Sequence, residues 1–528
     1  MLCSPAVPLS SDTWGSDRPL QLVWRNVTTR YLTIAVDGVI GLLLLPFTIA
    51  HLGQSEYGLW ALATSVTWFF GVLDLGYGGA LARFIARHRA WQDRTGLNEI
   101  VSTVACVYTA LGAICLCVTV AIAWRIDALF NISPDQLRTA QSVLVIVGAF
   151  LSVRFPLSVF GAVVYGFQRS YRNNAASVVT SVAAAIVTVA VLRNGHGLVA
   201  LVAATTAVRT LSLGVFTWNA YRVFPGLQVR PWLFRRRRLH EVTGFSVYMF
   251  VLDCAAKLNY SADALIIGAF LNTAAVAVWT VGQRVAQLTQ QLTGQVNDAL
   301  FPVVVDSDAA QRQERLQTIL IQGTRVSLAL AAPLCVGLIV LADPLIHAWM
   351  GGRFSGSVLP MQLLLGVVLV RAGTSAANVI LKGAGQHKLL AYTNASAAVA
   401  NVVLSIALIH PLGLTGVALG TFVPVTASAV FVLYPVACRR VGLSLRRALV
   451  EATWPAAWPA ALAGVVLWIE RRIVATTVVE VAVLLAVGAL AYAALFVGLA
   501  IGREERRLYL LKLRSLITPR REAPAPVS

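Results

Sequence analysis

Charged side chains set in the middle of apolar runs are the residues of this chain that could do chemistry. Arg154, Arg209, Lys257, Arg284 and Arg371 each lie inside a stretch of roughly 20 apolar residues, a length that crosses a bilayer. An ionisable group there costs at least about 2.5–3.5 kcal/mol, so it is held for use or for a partner. A guanidinium presents a planar fork of donors that matches two oxygens of a phosphate, and exclusion of water strengthens the pairing. Arg154 and Arg371 occupy near-equivalent places in the two halves of the chain. The five form a substrate-binding set for an anionic cargo, with helix carbonyls or acidic groups as their alternative partners. Asp37, Asp253 and Asp263, also within apolar runs, are the candidates for ion coupling, since a buried carboxylate can take up a proton.

Other charges have simpler readings. Asp253 and Lys257 are four residues apart with the acid first, the favourable order for a pair on one helix face. Asp74 and Asp298 lie near span ends and reach the interface, and Arg325, near the start of its span, snorkels. Trp68, Tyr248, Tyr260 and Trp279 are packing or interface aromatics. Asp127, Asp135 and Asp343 read as solvated loop charges.

The elements that position these groups follow from composition. Of 528 residues, 58% are hydrophobic and 12% charged, too few charges for a soluble surface of this size. Apolar runs of span length, rather than short alternating segments, give a helical polytopic membrane protein and not a β-barrel. The net charge of +19 does not point to nucleic acid, because the basic residues sit in short loops between spans. Of the 42 lysines and arginines, only Arg125, Arg138, Arg193, Arg353, Arg471 and Arg472 fall in loops on one side. The opposite, basic side is the cytoplasmic one by the positive-inside bias, and it holds both termini. Those basic loops also suit anionic lipid headgroups. The seven cysteines include no CxxC pair and read as small buried hydrophobes without metal or disulfide roles. The first residues lack the apolar core of a signal peptide.

The expected fold is an all-α polytopic membrane protein of about fourteen transmembrane helices, as two parallel six-helix lobes plus two extra C-terminal helices around a central cavity. Its parts are a polar tail (1–30), an N-lobe (31–219), a basic linker with Arg235 to Arg238 (220–242), a C-lobe (243–437), a basic loop with spans 13 and 14 (438–501), and a basic tail (502–528). Three landmarks repeat at one offset of 219 residues: Leu52 and Trp60 with Leu271 and Trp279, Gly166 with Gly385, and Gly197 with Gly416. Six spans per half make the repeat parallel.

One stretch carries a resemblance. Pro46 closes a helix. Leu52-Gly53, Tyr57-Gly58 and Trp60 form a tight turn, Leu73-Asp74 and Gly76 follow, and then comes a basic loop with Arg83, Arg87 and Arg89. This pattern resembles the start of the oligosaccharide flippases, the polysaccharide-export branch of the multidrug/oligosaccharidyl-lipid/polysaccharide exporter superfamily. The resemblance implies transport of undecaprenyl-diphosphate-linked oligosaccharide across the inner membrane by alternating access, for O-antigen, capsule or exopolysaccharide, without cofactor or covalent chemistry. It implies a lipid-linked oligosaccharide and membrane lipids as partners, with a polysaccharide polymerase and a chain-length regulator beside them.

The chain has no phosphate-binding GxxxxGK[S/T] loop, no HExxH and no GxSxG. The alternatives that stay open are a cation-coupled drug exporter of the same superfamily, a lipid II flippase, and a membrane-embedded glycosyltransferase or polymerase.

Overall fold

The computed structural model describes residues 19–74, 77–243, 262–294, 296–474 and 477–500. These form helices and turns, with no strand among them. Ten of the described stretches are long and apolar enough to cross a membrane. One of them, His387–Arg440, is 54 residues long and bends at Gly413, where φ is 56°. It therefore holds both expected spans 11 and 12.

The first helix, α1, covers Pro19–Leu52 and carries Pro46 in its interior. It therefore starts inside the segment expected to be a tail and does not end at the proline. Gly53, at φ 86°, makes the turn in a left-handed conformation open to glycine, and α2 (Gln54–Phe69) follows at once. Expected span 2 is broken: a tight 3-10 turn (Phe70–Asp74) ends α2, and α3 (Tyr77–Ala90) carries Arg83, Arg87 and Arg89 on a helix rather than a loop. Then come α4 (Arg94–Trp124), α5 (Leu137–Gly166), α6 (Tyr171–Arg193) and α7 (Leu198–Val223).

After residues 262–270 come α8 (Thr273–Thr293), α9 (Val296–Ala309), α10 (Gln313–Val340), α11 (Ala342–Met350) and α12 (Val358–Gly383). The expected outer loop at 342–357 is thus mostly helix. The chain continues through α13 (His387–Ala427), α14 (Tyr434–Arg440), α15 (Trp454–Val474) and α16 (Val478–Leu495). Wide π turns lead into α14 and α15 and follow α16.

The repeat is written in the backbone. The starts of α2 and α8, and of α4 and α10, are each 219 residues apart. Helix ends match as well. Gln92 and Gln311 both take positive φ, 57° and 50°, a conformation uncommon for any residue but glycine. Each closes its helix with the same two bonds: Gln92 N–H to Arg89 and Asp93 N–H to His88, against Gln311 N–H to Asp308 and Arg312 N–H to Ser307. Gln168 and Gly385, and Gly195 and Gly413, also take positive φ, at offsets of 217 and 218, so the glycine landmarks Gly166–Gly385 and Gly197–Gly416 do not mark equivalent backbone positions.

The chain divides into two compact units, residues 1–288 with 387–425 and residues 289–386 with 426–528. In the first, α5 packs on α4, α3 and α7, and α6 packs on α1 and α7. The α4–α5 contact buries Tyr108, which meets Phe155 with ring centroids 5.9 Å apart. In the second, α10 packs on α12 and on α15. Trp279 is wholly buried, as a packing aromatic should be. The side chains of Trp68, Tyr248, Tyr260 and Asp298 lie outside the described residues.

Candidate functional site

Four of the predicted site residues meet in the first unit. Arg284 on α8 is half-buried and donates from Nη2 to the Asp37 carbonyl of α1 at 3.2 Å. It fits because Gly41 lacks a side chain: a Cβ there would overlap the guanidinium. The sequence reading allowed Arg284 either cargo or a helix carbonyl, and the carbonyl holds it. The Asp37 side chain is half-exposed and lies within electrostatic reach of Arg209 on α7. Arg209 in turn is within reach of Arg154 on α5, and Arg154 of Asp74. Both Arg154 and Arg209 are exposed. Among the described residues, neither has a carboxylate within 4.0 Å.

Asp74 does not simply reach for the interface. At the break between α2 and α3 it accepts the Tyr108 hydroxyl on Oδ1 and the Gly78 N–H on Oδ2 at 3.4 Å. A helix that stops leaves its next N–H groups without partners, and a carboxylate supplies one. Tyr108 is fixed from its other side by an edge-on contact with Tyr77, whose hydroxyl shares a 2.8 Å hydrogen bond with Thr243. Beside this carboxylate opens a cavity of about 490 Å³. Arg154, Ser158, Gly161 and Tyr165 step along one face of α5, at spacings of four, three and four, and the last three line the cavity.

Asp263 belongs to a second cluster. It is buried, 1% exposed, and accepts the Thr421 hydroxyl on both carboxylate oxygens at 3.2 and 3.3 Å. Thr421 also lies 3.5 Å from Asn401 Oδ1, which accepts the Ser405 hydroxyl at 3.0 Å. Asn401, Ser405 and Thr421 are themselves buried. Asn401 and Ser405, four apart in an apolar run, are a signal in the sequence that charge counting passes over.

Arg371, half-buried on α12, lies in the second unit. Lys257 and Asp253 lie outside the described residues. Arg325 corrects an expectation. It sits three turns into α10, which begins at Gln313, and it turns into the protein instead of reaching for the interface. It is buried and donates Nε to the Glu451 carbonyl at 2.9 Å, within the wide turn Leu449–Thr453, whose geometry takes carbonyls off the regular helix ladder.

At the basic end, the linker is laced to α4. Arg235 and Arg238 pair with Glu99 at 3.4 and 3.3 Å, and Arg238 and Arg87 pair with Glu241 at 3.3 and 3.5 Å. Asp93 caps α4 by accepting the Gly96 N–H at 2.8 Å. That bond, with the neighbouring His88 ring, holds its carboxyl below the usual carboxylate range. Asp127 and Asp135 are exposed, as expected of solvated charges, and Asp343 lies 3.2 Å from His347 on α11.

Residues 51–359 match the family described as "Polysaccharide biosynthesis protein". Among relatives from Haloferax volcanii, the probable flippase AglR is 23% identical over 74% of this chain and 78% of its own length. The probable low-salt glycan biosynthesis flippase Agl15 is 22% identical, but over only 35% of this chain and 39% of its own length. The succinoglycan biosynthesis transport protein ExoT of Rhizobium meliloti is 24% identical over 70% of both chains. In fold, the chain is similar to the lipid II flippase MurJ in an inward closed conformation, with a TM-score of 0.68, 14% identity and coverage of 94% of this chain and 100% of the other. It is also similar to an inward-facing multidrug transporter of the MATE family, with a TM-score of 0.62, 17% identity and coverage of 76% and 94%.

Proposed function

Because the chain belongs to the polysaccharide biosynthesis protein family, we propose that it is a flippase of glycan biosynthesis, moving undecaprenyl-diphosphate-linked oligosaccharide from the cytoplasmic to the periplasmic leaflet of the inner membrane. The reading has both termini in the cytoplasm and alternating access between the two halves of the repeat, 31–219 and 243–437. The observation that carries it is the pair Arg154 and Arg209. Two guanidiniums set in apolar helices, exposed and without a close carboxylate among the described residues, form a cationic place that a diphosphate would neutralise. Arg371 and Lys257 extend the proposed set. Arg284 serves it indirectly, by holding Asp37 near Arg209.

The buried Asp263 cluster is the proposed coupling site, where oxygens of Asp263, Thr421, Asn401 and Ser405 would surround a proton or a small cation. This falls beside a drug-exporter reading, in which cargo is cationic and acidic residues carry it. Replacing Arg154 and Arg209 singly with alanine should abolish complementation of a flippase-null strain at normal protein level, and should stop transfer of a fluorescent lipid-linked oligosaccharide across proteoliposomes. Full activity of both variants would end the anionic-cargo reading. Export of a cationic dye by both, lost in Asp37→Asn, would put the drug-exporter reading in its place.

A further inference from the structure

The cavity beside Asp74 has chemistry that the arginines do not share. Its wall holds a carboxylate, the Tyr108 hydroxyl, the Ser158 hydroxyl and the Tyr165 ring, with Gly79 and Gly161 leaving backbone exposed between them. Its volume of about 490 Å³ falls within the range of small-molecule sites, ~300–1,000 Å³. Resting on the flippase reading above, we infer that this cavity receives the glycosyl unit joined directly to the diphosphate, while Arg154 holds the diphosphate itself.

Three observations support the assignment. First, a carboxylate in the wall repels a phosphate, so the cavity does not duplicate the arginine site, and Arg154 one turn away repels a cation. A neutral polyol satisfies both. Carboxylate oxygens accept from neighbouring hydroxyls, the Tyr108 and Ser158 hydroxyls, whose protons go to Asp74 and to the Phe155 carbonyl, keep lone pairs that accept from a sugar, and an aromatic ring offers a face to the apolar side of a sugar. Second, the geometry runs in the right order. Arg154, Ser158, Gly161 and Tyr165 follow one another along α5 toward its basic end. The segment from Ser158 to Tyr165 rises roughly 10 Å, the length of one or two sugar rings. Third, Asp74 is already anchored by Tyr108 and Gly78. Its carboxylate is therefore set in place before a ligand arrives and loses little freedom on binding.

The test fills the cavity without touching the arginines. A Cβ at Gly79 or at Gly161 would meet nothing within 4 Å, so Gly161→Leu and Gly79→Leu enter open space on helices that tolerate leucine. The probes are a polyprenyl diphosphate bearing a disaccharide and the same lipid without sugar, titrated onto the full-length protein in nanodiscs. Gly161→Leu should weaken binding of the glycosylated lipid by about tenfold or more and leave the sugar-free lipid unchanged. Gly79→Leu should do the same, and Gly161→Ala should bind like the wild type. Wild-type affinity of both leucine variants for the disaccharide lipid overturns the inference, as does an equal loss for the two lipids. Arg154→Ala separates this from the reading beneath it: it should weaken both lipids alike. If it weakens neither while Gly161→Leu still discriminates between them, the diphosphate assignment fails and the sugar pocket stands.

Discussion

Arg154 and Arg325 are the same residue type in long apolar helices, and the structure surrounds them differently. Arg325 is 9% exposed and has its fork closed on the Glu451 carbonyl. Arg154 is exposed, with charges at a distance and none in contact among the described residues. Arg284 sides with Arg325, lying over Gly41 and donating to the Asp37 carbonyl. The cost of a charge in the membrane is therefore met in two ways. One is to spend the donors on backbone that helix irregularity has freed, which makes the arginine structural. The other is to leave the donors open, which the proposed diphosphate-binding role of Arg154 requires. An intramembrane arginine is thus not a site by virtue of its charge alone. What decides is whether a carbonyl lies within its reach.

The sharpest way to break this contrast is to remove both guanidiniums and keep their bulk. Arg325→Met should lose about 1.5–3 kcal/mol of stability, since a charged donor is removed from a buried carbonyl, and its melting temperature in detergent should fall with it. Arg154→Met should melt like the wild type and lose transport by about 10- to 100-fold, the same energy now read in cargo binding. Equal melting losses in the two variants would dissolve the distinction. A somewhat smaller effect is expected at Gly41. Gly41→Val pushes the Arg284 guanidinium off α1 and should cost about 1–3 kcal/mol, as overpacking does. The double variant Gly41→Val with Arg284→Ala should recover part of that loss, which a thermal melt would show.

The smallest effect concerns the basic end, where charge organises helix ends rather than cargo. Asp93→Ala removes the cap on α4 and should cost about 1 kcal/mol. Because the Asp93 carboxyl is held below its ordinary range, its contribution is present above that range and lost as pH falls through the depressed value. Stability of Asp93→Ala should therefore converge on the wild type only in strong acid, in melts followed by circular dichroism against pH.

Much of the site was visible in the residues. Arg154, Arg209 and Asp37 stood out because charge is rare in apolar runs, and the structure gathers all three into one region. Asp74 stood out too but was read as an interfacial charge. Its role depends on a break in span 2, and hydropathy is blind to that because the broken segment is as apolar as an intact one. Arg325 was misread for a related reason: the carbonyl that holds it belongs to Glu451, 126 residues away in the chain, where hydropathy gives no sign of it. Asn401, Ser405 and Thr421 drew no notice because neutral polar groups in a span cost little one at a time. Only their convergence on Asp263 makes them a cluster.

The sequence by itself determined the solvent this protein lives in, the alternation of its loops and the duplication of its halves. Each of these depends on sums over many residues: apolar length, basic asymmetry and an offset that recurs near 219. The tertiary structure decided which charges are spent on backbone and which remain open, where a helix breaks, and that a cavity with a carboxylate lies one turn from an arginine. Those outcomes depend on single contacts between residues far apart in the chain, such as Arg325 with Glu451 and Asp74 with Tyr108, and periodicity carries no information about them.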